Sequence, residues 1–242
     1  MSFSGSSMMK ILAVDTGTKS CSVAVVEKSS LLAEMTLVKD QTHSKHLMKM
    51  IHTVIGMSGL DLSELDGYAV NMGPGTFTGL RIGMSAVKGL AAASGKPVVG
   101  VSSLDALAMQ ASLSPYLICP LLDARRGEVY YSRYRFRNGG LIKEIKENVF
   151  PPETAIFDID EPCTFVGNGA RLYRAEIVDI MGDLACFAPF CQNTIRASTI
   201  AHLSMRRFET ADTDDVGALS PRYIRKPDAE MKLEAGADGS NH

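Results

Sequence analysis

The sequence predicts an α/β protein made of two similar halves, each with a mixed sheet flanked by helices. Twice, an apolar strand ends in an aspartate, turns and returns as a second strand, at residues 11–26 and 117–131. Each half also has a glycine-rich turn between a strand and a helix, at residues 71–83 and 165–170. After three initial strands, the first half alternates helices with strands, which implies parallel crossovers in a mixed sheet.

Apolar periodicity places the individual elements. In the first half, predicted strands cover residues 11–14, 21–26, 31–38, 68–72 and 97–101, and helices cover 43–57, 76–94 and a segment from 103. In the second half, strands cover 117–122, 129–131, a stretch after 140 and 165–166, and helices cover 171–181 and 195–208. Residues 219–225 are predicted to be extended.

These elements predict a first domain over residues 10–113 and a second over 114–225. Whether the C-terminal part of the second returns to the first stays open. The polar ends, 1–9 and 226–242, are expected to be disordered extensions.

Composition excludes several classes of protein. Of the 242 residues, 45% are hydrophobic and 21% are charged, which is ordinary for a globular chain. A net charge of −2 gives no bulk signal for nucleic-acid binding. Five cysteines without a C-x-x-C pair indicate reduced thiols and a cytoplasmic location. We find no secretory signal and no apolar run of membrane-spanning length.

The stretch 73–83 is the strongest motif. Its glycine turn and helix start can offer backbone N–H groups to an anion, but it lacks the Gly-Lys-Ser/Thr ending of a Walker A loop. Small and apolar residues form a stripe along the helix: Gly75, Gly79, Gly83, Ala86 and Leu90. Because an interior glycine costs roughly 1 kcal/mol against alanine, something is expected to pack very close. The chain's own sheet and a helix of another chain both remain open.

The turn Asp15, Thr16, Gly17 is a candidate phosphate turn, with Asp15 placed for a hydrated metal ion. A plain hairpin, in which Asp15 bonds its own turn, is the alternative. An aspartic protease needs a second such aspartate motif, which this chain lacks. His43 and His46 are three residues apart but have no third ligand at matching spacing, so we expect no metal site.

The helix over 43–57 is apolar around nearly half of its circumference, more than one sheet contact requires. The excess predicts a second contact surface. Together with the stripe above, the candidate partner interface is Leu47, Met48, Ile51, Ile55, Gly75, Gly79, Gly83, Ala86 and Leu90.

Four stretches, 14–18, 71–83, 123–130 and 221–225, together resemble the bacterial TsaB family, and the two-half pattern resembles the duplicated actin-like (ASKHA, RNase H-like) fold. The residues that carry the resemblance most specifically are Gly73, Pro74, Gly75, Thr76, Phe77, Thr78, Gly79, Arg81, Asp123, Arg125, Arg126 and Glu128. The resemblance implies a subunit required to make threonylcarbamoyladenosine in tRNA. It also implies kinship with TsaD, the subunit that transfers the threonylcarbamoyl group.

TsaD holds a metal through two histidines, and the matching positions here are Ser103 and Leu107. Neither residue supplies an imidazole nitrogen. In the second turn, Ala124, Arg125 and Arg126 stand where a phosphate-binding turn favours small residues. The resemblance therefore implies a non-catalytic subunit with no cofactor. It would dock TsaD through the first domain, be joined by TsaE, self-associate when alone and meet tRNA only through the complex.

Three rival functions are weighed against this one. An actin-like ATPase or small-molecule kinase would use Asp15 and the glycine turns. A metalloprotease would need an H-E-x-x-H motif, and this sequence has neither that motif nor the candidate histidine ligands. A tRNA binder would use Arg133, Arg135 and Arg137, which alternate along one strand, although a solvated strand face is favoured.

Overall fold

Two five-stranded sheets with the same strand order form the two lobes of the molecule. They are seen in a computed structural model that describes residues 9–28, 30–38 and 43–225. The expected extensions at 1–9 and 226–242 lie outside the described residues, apart from Met9.

Lobe one contains strands β1 (Lys10–Asp15), β2 (Ser20–Glu27), β3 (Ser30–Val38), β4 (Gly67–Gly73) and β5 (Val98–Ser102). Their order is β3-β2-β1-β4-β5, with antiparallel pairing on the β2–β3 side of β1 and parallel pairing on the β4–β5 side. The parallel pairs result from helical crossovers, as the alternating pattern predicted.

Lobe two contains β6 (Leu117–Arg125), β7 (Glu128–Arg137), β8 (Gly140–Phe150), β9 (Cys163–Val166) and β10 (Ala185–Phe187). Their order is β8-β7-β6-β9-β10, again antiparallel on one side of the first strand and parallel on the other. The predicted duplication is confirmed strand by strand.

The helices are α1 (Leu47–Ser58), α2 (Phe77–Ser94), α3 (Ser103–Gln110), α4 (Pro152–Ile156), α5 (Asn168–Leu172), α6 (Arg174–Met181) and α7 (Ala197–Glu209). The first begins later than predicted, because residues 43–45 form a separate 3-10 turn. Both α1 and α2 end at a left-handed glycine, Gly59 and Gly95, which is the usual helix stop.

Three apolar clusters hold these elements together. One lies between sheet one and the pair α1 and α2. A second joins both sheets through α3 and α7, and a third lies within lobe two beneath α4 and α6. Since α3 and α7 contribute to a core shared by both sheets, the lobes are joined by apolar packing along these helices.

The sequence analysis left open whether the C-terminal part of the second domain, 114–225, returns to the first, and in the structure α7 and the segment after it do so. The sheet of the second domain ends at Phe187, and α7 packs against β1, β2, β4 and β5 of lobe one. The segment after α7 also returns to lobe one, where Asp214 pairs with Val98 and Leu219 is buried. The apolar face of α7 needs an uncovered sheet face, and lobe one supplies it.

Among the described helices, none combines the length and the hydropathy needed to cross a lipid bilayer.

Candidate functional site

Asp15 is the centre of a buried polar network where β1, β4 and α3 meet. Its carboxylate is fully buried and accepts hydrogen bonds from the Gly17 backbone N–H at 3.0 Å and the Asn71 side-chain N–H at 2.5 Å. The side-chain amide oxygen of Asn71 accepts in turn from the Gly73 N–H at 2.8 Å and the Ser103 hydroxyl at 2.7 Å. The network therefore connects the first turn, the central motif and the start of α3.

Burial dominates the electrostatics of Asp15. Loss of solvent raises the pKa of its carboxyl from 3.8 to about 6, although the hydrogen bonds from Asn71 and Gly17 oppose the rise. The carboxylate oxygens are engaged by protein donors, and the described part of the chain holds no group of three or more His, Cys, Asp or Glu side chains suited to a metal ion. Asp15 thus bonds its own turn and its neighbour, as the hairpin alternative requires.

Helix α2 lies directly on the first turn. The Thr16 hydroxyl donates to the Gly79 carbonyl at 2.7 Å and accepts from the Gly83 N–H at 3.1 Å. The Thr76 N–H donates to the Gly17 carbonyl at 2.7 Å. The hydroxyl predicted for phosphate is therefore engaged by α2, and the Gly17 N–H is engaged by Asp15.

The glycine stripe has its explanation within the chain. A Cβ at Gly75 would lie 2.3 Å from the Gly17 carbonyl oxygen, one at Gly79 would lie 2.1 Å from that of Thr16, and one at Gly83 would lie 2.3 Å from the Thr16 hydroxyl. Gly79 and Gly83 are buried by this contact. Their expected place in a partner interface is wrong, because the close neighbour is the chain's own turn.

The remaining interface candidates on α1 and α2 differ in their exposure to solvent. Leu47 and Ile51 are buried in the lobe-one core, so their expected contact with a partner is also wrong. Met48 is 54% exposed, and Ile55 is partly exposed on the same flank of α1.

On α2, Ile82, Ala86 and Leu90 are partly exposed. We call Met48, Ile55, Ile82, Ala86 and Leu90 the α1–α2 face. Its members are all apolar: Ile55, Ile82, Ala86 and Leu90 are partly buried against the lobe-one core, and Met48 is the most exposed of the five.

The second turn, between β6 and β7, differs in shape from the first. Arg125, Arg126 and Gly127 follow one another in the left-handed region, at φ values of 61°, 56° and 78°. The Asp123 carboxylate accepts from the Arg125 N–H at 2.7 Å, and both arginines are exposed. The turn bends back on itself and leaves the guanidinium groups at the surface.

Residues 219–225 return to the central motif of the first domain, a possibility that the sequence analysis left open. The Arg222 N–H donates to the Met72 carbonyl at 2.7 Å. The Tyr223 ring stacks on Phe77 at 5.1 Å between ring centres, and its hydroxyl accepts from Arg81 at 3.1 Å. The family motifs at 71–83 and 221–225 thus contact each other, and their joint presence was the only signal for this contact in the sequence.

Side chains that the metal-site and tRNA-binding alternatives would use already have partners within the chain. His43 contacts the Thr18 carbonyl through its Nε2 at 2.7 Å. Arg133 is paired with Asp158, and Arg135 is paired with Glu144 and Glu161. Two of the three alternating arginines of β7 are therefore paired with carboxylates within the lobe, while Arg137 is exposed, and this pairing favours the solvated strand face over an RNA-binding one.

Comparison with known proteins agrees with this architecture. A family model described as "TsaD: tRNA N6-adenosine threonylcarbamoyltransferase" matches residues 30–233. The Bacillus subtilis (strain 168) protein described as tRNA threonylcarbamoyladenosine biosynthesis protein TsaB is 31% identical over 232 residues, which are 93% of this chain and 97% of that protein. The Haemophilus influenzae protein of the same description is 34% identical over 245 residues, with the same two shares.

Among solved structures, YeaZ from Pseudomonas aeruginosa superposes with a TM-score of 0.76 at 28% identity, over 89% of this chain and all of that one. A second Pseudomonas aeruginosa structure, described as similar to peptidase YeaZ, gives 0.77 at 28% identity over 90% of this chain. The duplicated actin-like fold with mixed sheets is thereby confirmed. The chain belongs to the family that the TsaD model describes and, within it, to the TsaB proteins.

Proposed function

We propose that this protein is a non-catalytic subunit that binds TsaD and activates it for threonylcarbamoyl transfer to the adenosine beside the anticodon of tRNA. The names of its relatives support a role in the biosynthesis of threonylcarbamoyladenosine in tRNA. The free state of all five cysteines suits the cytoplasm, where we expect the protein to act.

The observation that carries the non-catalytic part is the closed first turn. A nucleotide phosphate would need the hydroxyl of Thr16 and the N–H of Gly17, and both are bonded to the chain itself. Ser103 and Leu107, at the two positions where TsaD has histidines, are completely buried in the core. Buried serine and leucine side chains offer no imidazole to a metal ion.

The proposed docking site is the α1–α2 face. Its side chains are apolar and partly exposed, and Met48 adds a flexible side chain that adapts to a partner surface. In this proposal TsaD covers the face, TsaE joins the resulting pair, and a second copy of the chain covers it when TsaD is absent. A patch that pairs with itself about a two-fold axis suits such a homodimer. Within the complex, tRNA is contacted through the other subunits.

Reconstitution tests the proposal. Purified chain, TsaD and TsaE are combined with tRNA and the threonylcarbamoyl donor, and each protein is omitted in turn. We expect transfer only when all three are present, and no transfer from this chain alone. The actin-like ATPase or kinase alternative makes the opposite prediction, since the isolated chain would then bind and hydrolyse Mg-ATP.

A further inference from the structure

The last described residues cross from lobe one to lobe two. Leu219 is buried in the lobe-one core, and the Lys88 ammonium on α2 donates to the carbonyls of Gly217 and Leu219 at 2.9 and 3.0 Å. Six residues later, the Arg225 guanidinium donates to the Ala124 carbonyl at 3.1 Å. It also forms an ion pair with Glu128. Ala124 and Glu128 flank the left-handed turn of lobe two.

The first end of this segment is strongly held. The Arg222 N–H bonds the Met72 carbonyl, and the Arg222 carbonyl lies so close to Gly73 that a Cβ there would be 2.9 Å away. Tyr223 adds its ring stack on Phe77. A buried leucine, a main-chain hydrogen bond and a stacked ring together fix this end to lobe one.

The second end is held differently. Arg225 contacts lobe two through its side chain, with one ion pair and one hydrogen bond, and both charged groups are partly exposed. Partly exposed ion pairs are worth little and respond to salt and to competing charges.

Other contacts between the lobes near this segment are also polar. Glu147 of β8 accepts from the Ser102 hydroxyl at 2.5 Å and lies 3.6 Å from Arg222. Lys143 of β8 pairs with Asp105 of α3 at 2.9 Å. One oxygen of Glu147 is buried and accepts no hydrogen bond from the described residues. This side of the lobe contact therefore contrasts with the apolar packing around α3 and α7.

We propose that residues 219–225 are a brace that fixes the angle between the two lobes, and that the contact of Arg225 with Glu128 is its releasable end. When the contacts of Arg225 with Glu128 and Ala124 break, the polar contacts of Glu147 and Lys143 weaken as well. The lobes then move relative to each other about the apolar core shared through α3 and α7. The end anchored at Leu219 stays on lobe one.

Amide hydrogen exchange followed by mass spectrometry of the full chain tests the brace. The variants are Arg225→Ala and the charge reversal Arg225→Glu with Glu128→Arg. Arg135→Ala is the matched control, since Arg135 pairs with Glu144 and Glu161 inside lobe two. The informative amides are 102–105 and 143–147, which Arg225 does not touch.

We expect Arg225→Ala to speed exchange about tenfold at residues 102–105 and 143–147, with α1 and α2 unchanged, as a local opening should. The charge reversal should restore most of the protection, and Arg135→Ala should leave 102–105 unchanged. Faster exchange only at residues 122–128 would overturn the proposal, because the effect would then be confined to the turn. A rise throughout the chain would also overturn it, since the contact would then support global stability.

Discussion

The Thr16 hydroxyl donates a 2.7 Å hydrogen bond to the Gly79 carbonyl, and the Thr16 carbonyl lies where a Cβ on Gly79 would have to be. The turn of the first hairpin and the first turns of α2 are therefore one packed unit. A phosphate bound at this turn would have to compete with α2 for the Thr16 hydroxyl. This contact stabilises the fold, and it also engages the turn at which we propose that nucleotide binding has been lost.

Replacement of Gly79 by alanine should destabilise the protein by about 2 kcal/mol, because overpacking against a backbone carbonyl outweighs the gain in helix propensity. Gly89 is the matched control, since it lies on the same helix and a Cβ there meets nothing within 4 Å. Gly89→Ala should stabilise by about 0.5–1 kcal/mol. Urea unfolding of both variants checks the pair, and equal effects would contradict the packing described here.

The buried carboxyl of Asp15 should make stability depend on pH. Its pKa is about 6 in the fold against an ordinary value of 3.8, so the folded state binds more protons between these values. Stability should therefore fall as pH rises from about 4 to 6, by about 3 kcal/mol in total. Asp15→Asn keeps an acceptor for Gly17 and Asn71 but carries no charge.

We expect Asp15→Asn to flatten the stability profile over this range and to exceed the wild-type stability at pH 8. Chemical denaturation from pH 4 to 8 at constant ionic strength measures both curves. If the two proteins keep parallel profiles, Asp15 is not the group responsible.

The cysteines should differ sharply in reactivity. Cys191 is exposed, Cys186 is partly exposed, and Cys21, Cys119 and Cys163 are buried. Burial, with a smaller effect from Asp15, raises the pKa of the Cys21 thiol to about 12. In the native protein, a thiol reagent such as Ellman's should modify Cys191 first and leave the three buried thiols unmodified until the chain unfolds.

Cys191→Ser is the control for this assignment and should remove the fast phase. Rapid modification of three or more thiols in the folded protein would show that the buried set is accessible.

Local patterns were sufficient to predict most of the fold. Apolar runs ending in Asp15 and Asp123 predicted two hairpins, and the two sheets share one topology because the halves repeat. The place of α7 was harder to predict. Its pattern showed an apolar face but not which sheet would receive it, because that choice depends on contacts distant in sequence.

The candidate site, like the fold, could be predicted from the sequence only in part. The stripe of Gly79 and Gly83 correctly indicated a close neighbour, but glycine spacing does not identify that neighbour, and Thr16 lies more than sixty residues earlier. Leu47 and Ile51 were placed at a partner surface because an apolar helix pattern does not separate the core-facing side from its exposed flank. Met48 and Ile55 retain exposure and remain candidates.

Binding to TsaD, measured by titration with wild-type chain and with Met48→Arg, is the most direct test of the proposed function. The control is Leu113→Arg, which makes the same kind of change at a 94% exposed leucine outside the α1–α2 face. We predict that Met48→Arg weakens TsaD binding at least tenfold, because a charge would enter an apolar contact, whereas Leu113→Arg binds like wild type. Undiminished binding of folded Met48→Arg would contradict the docking of TsaD on this face.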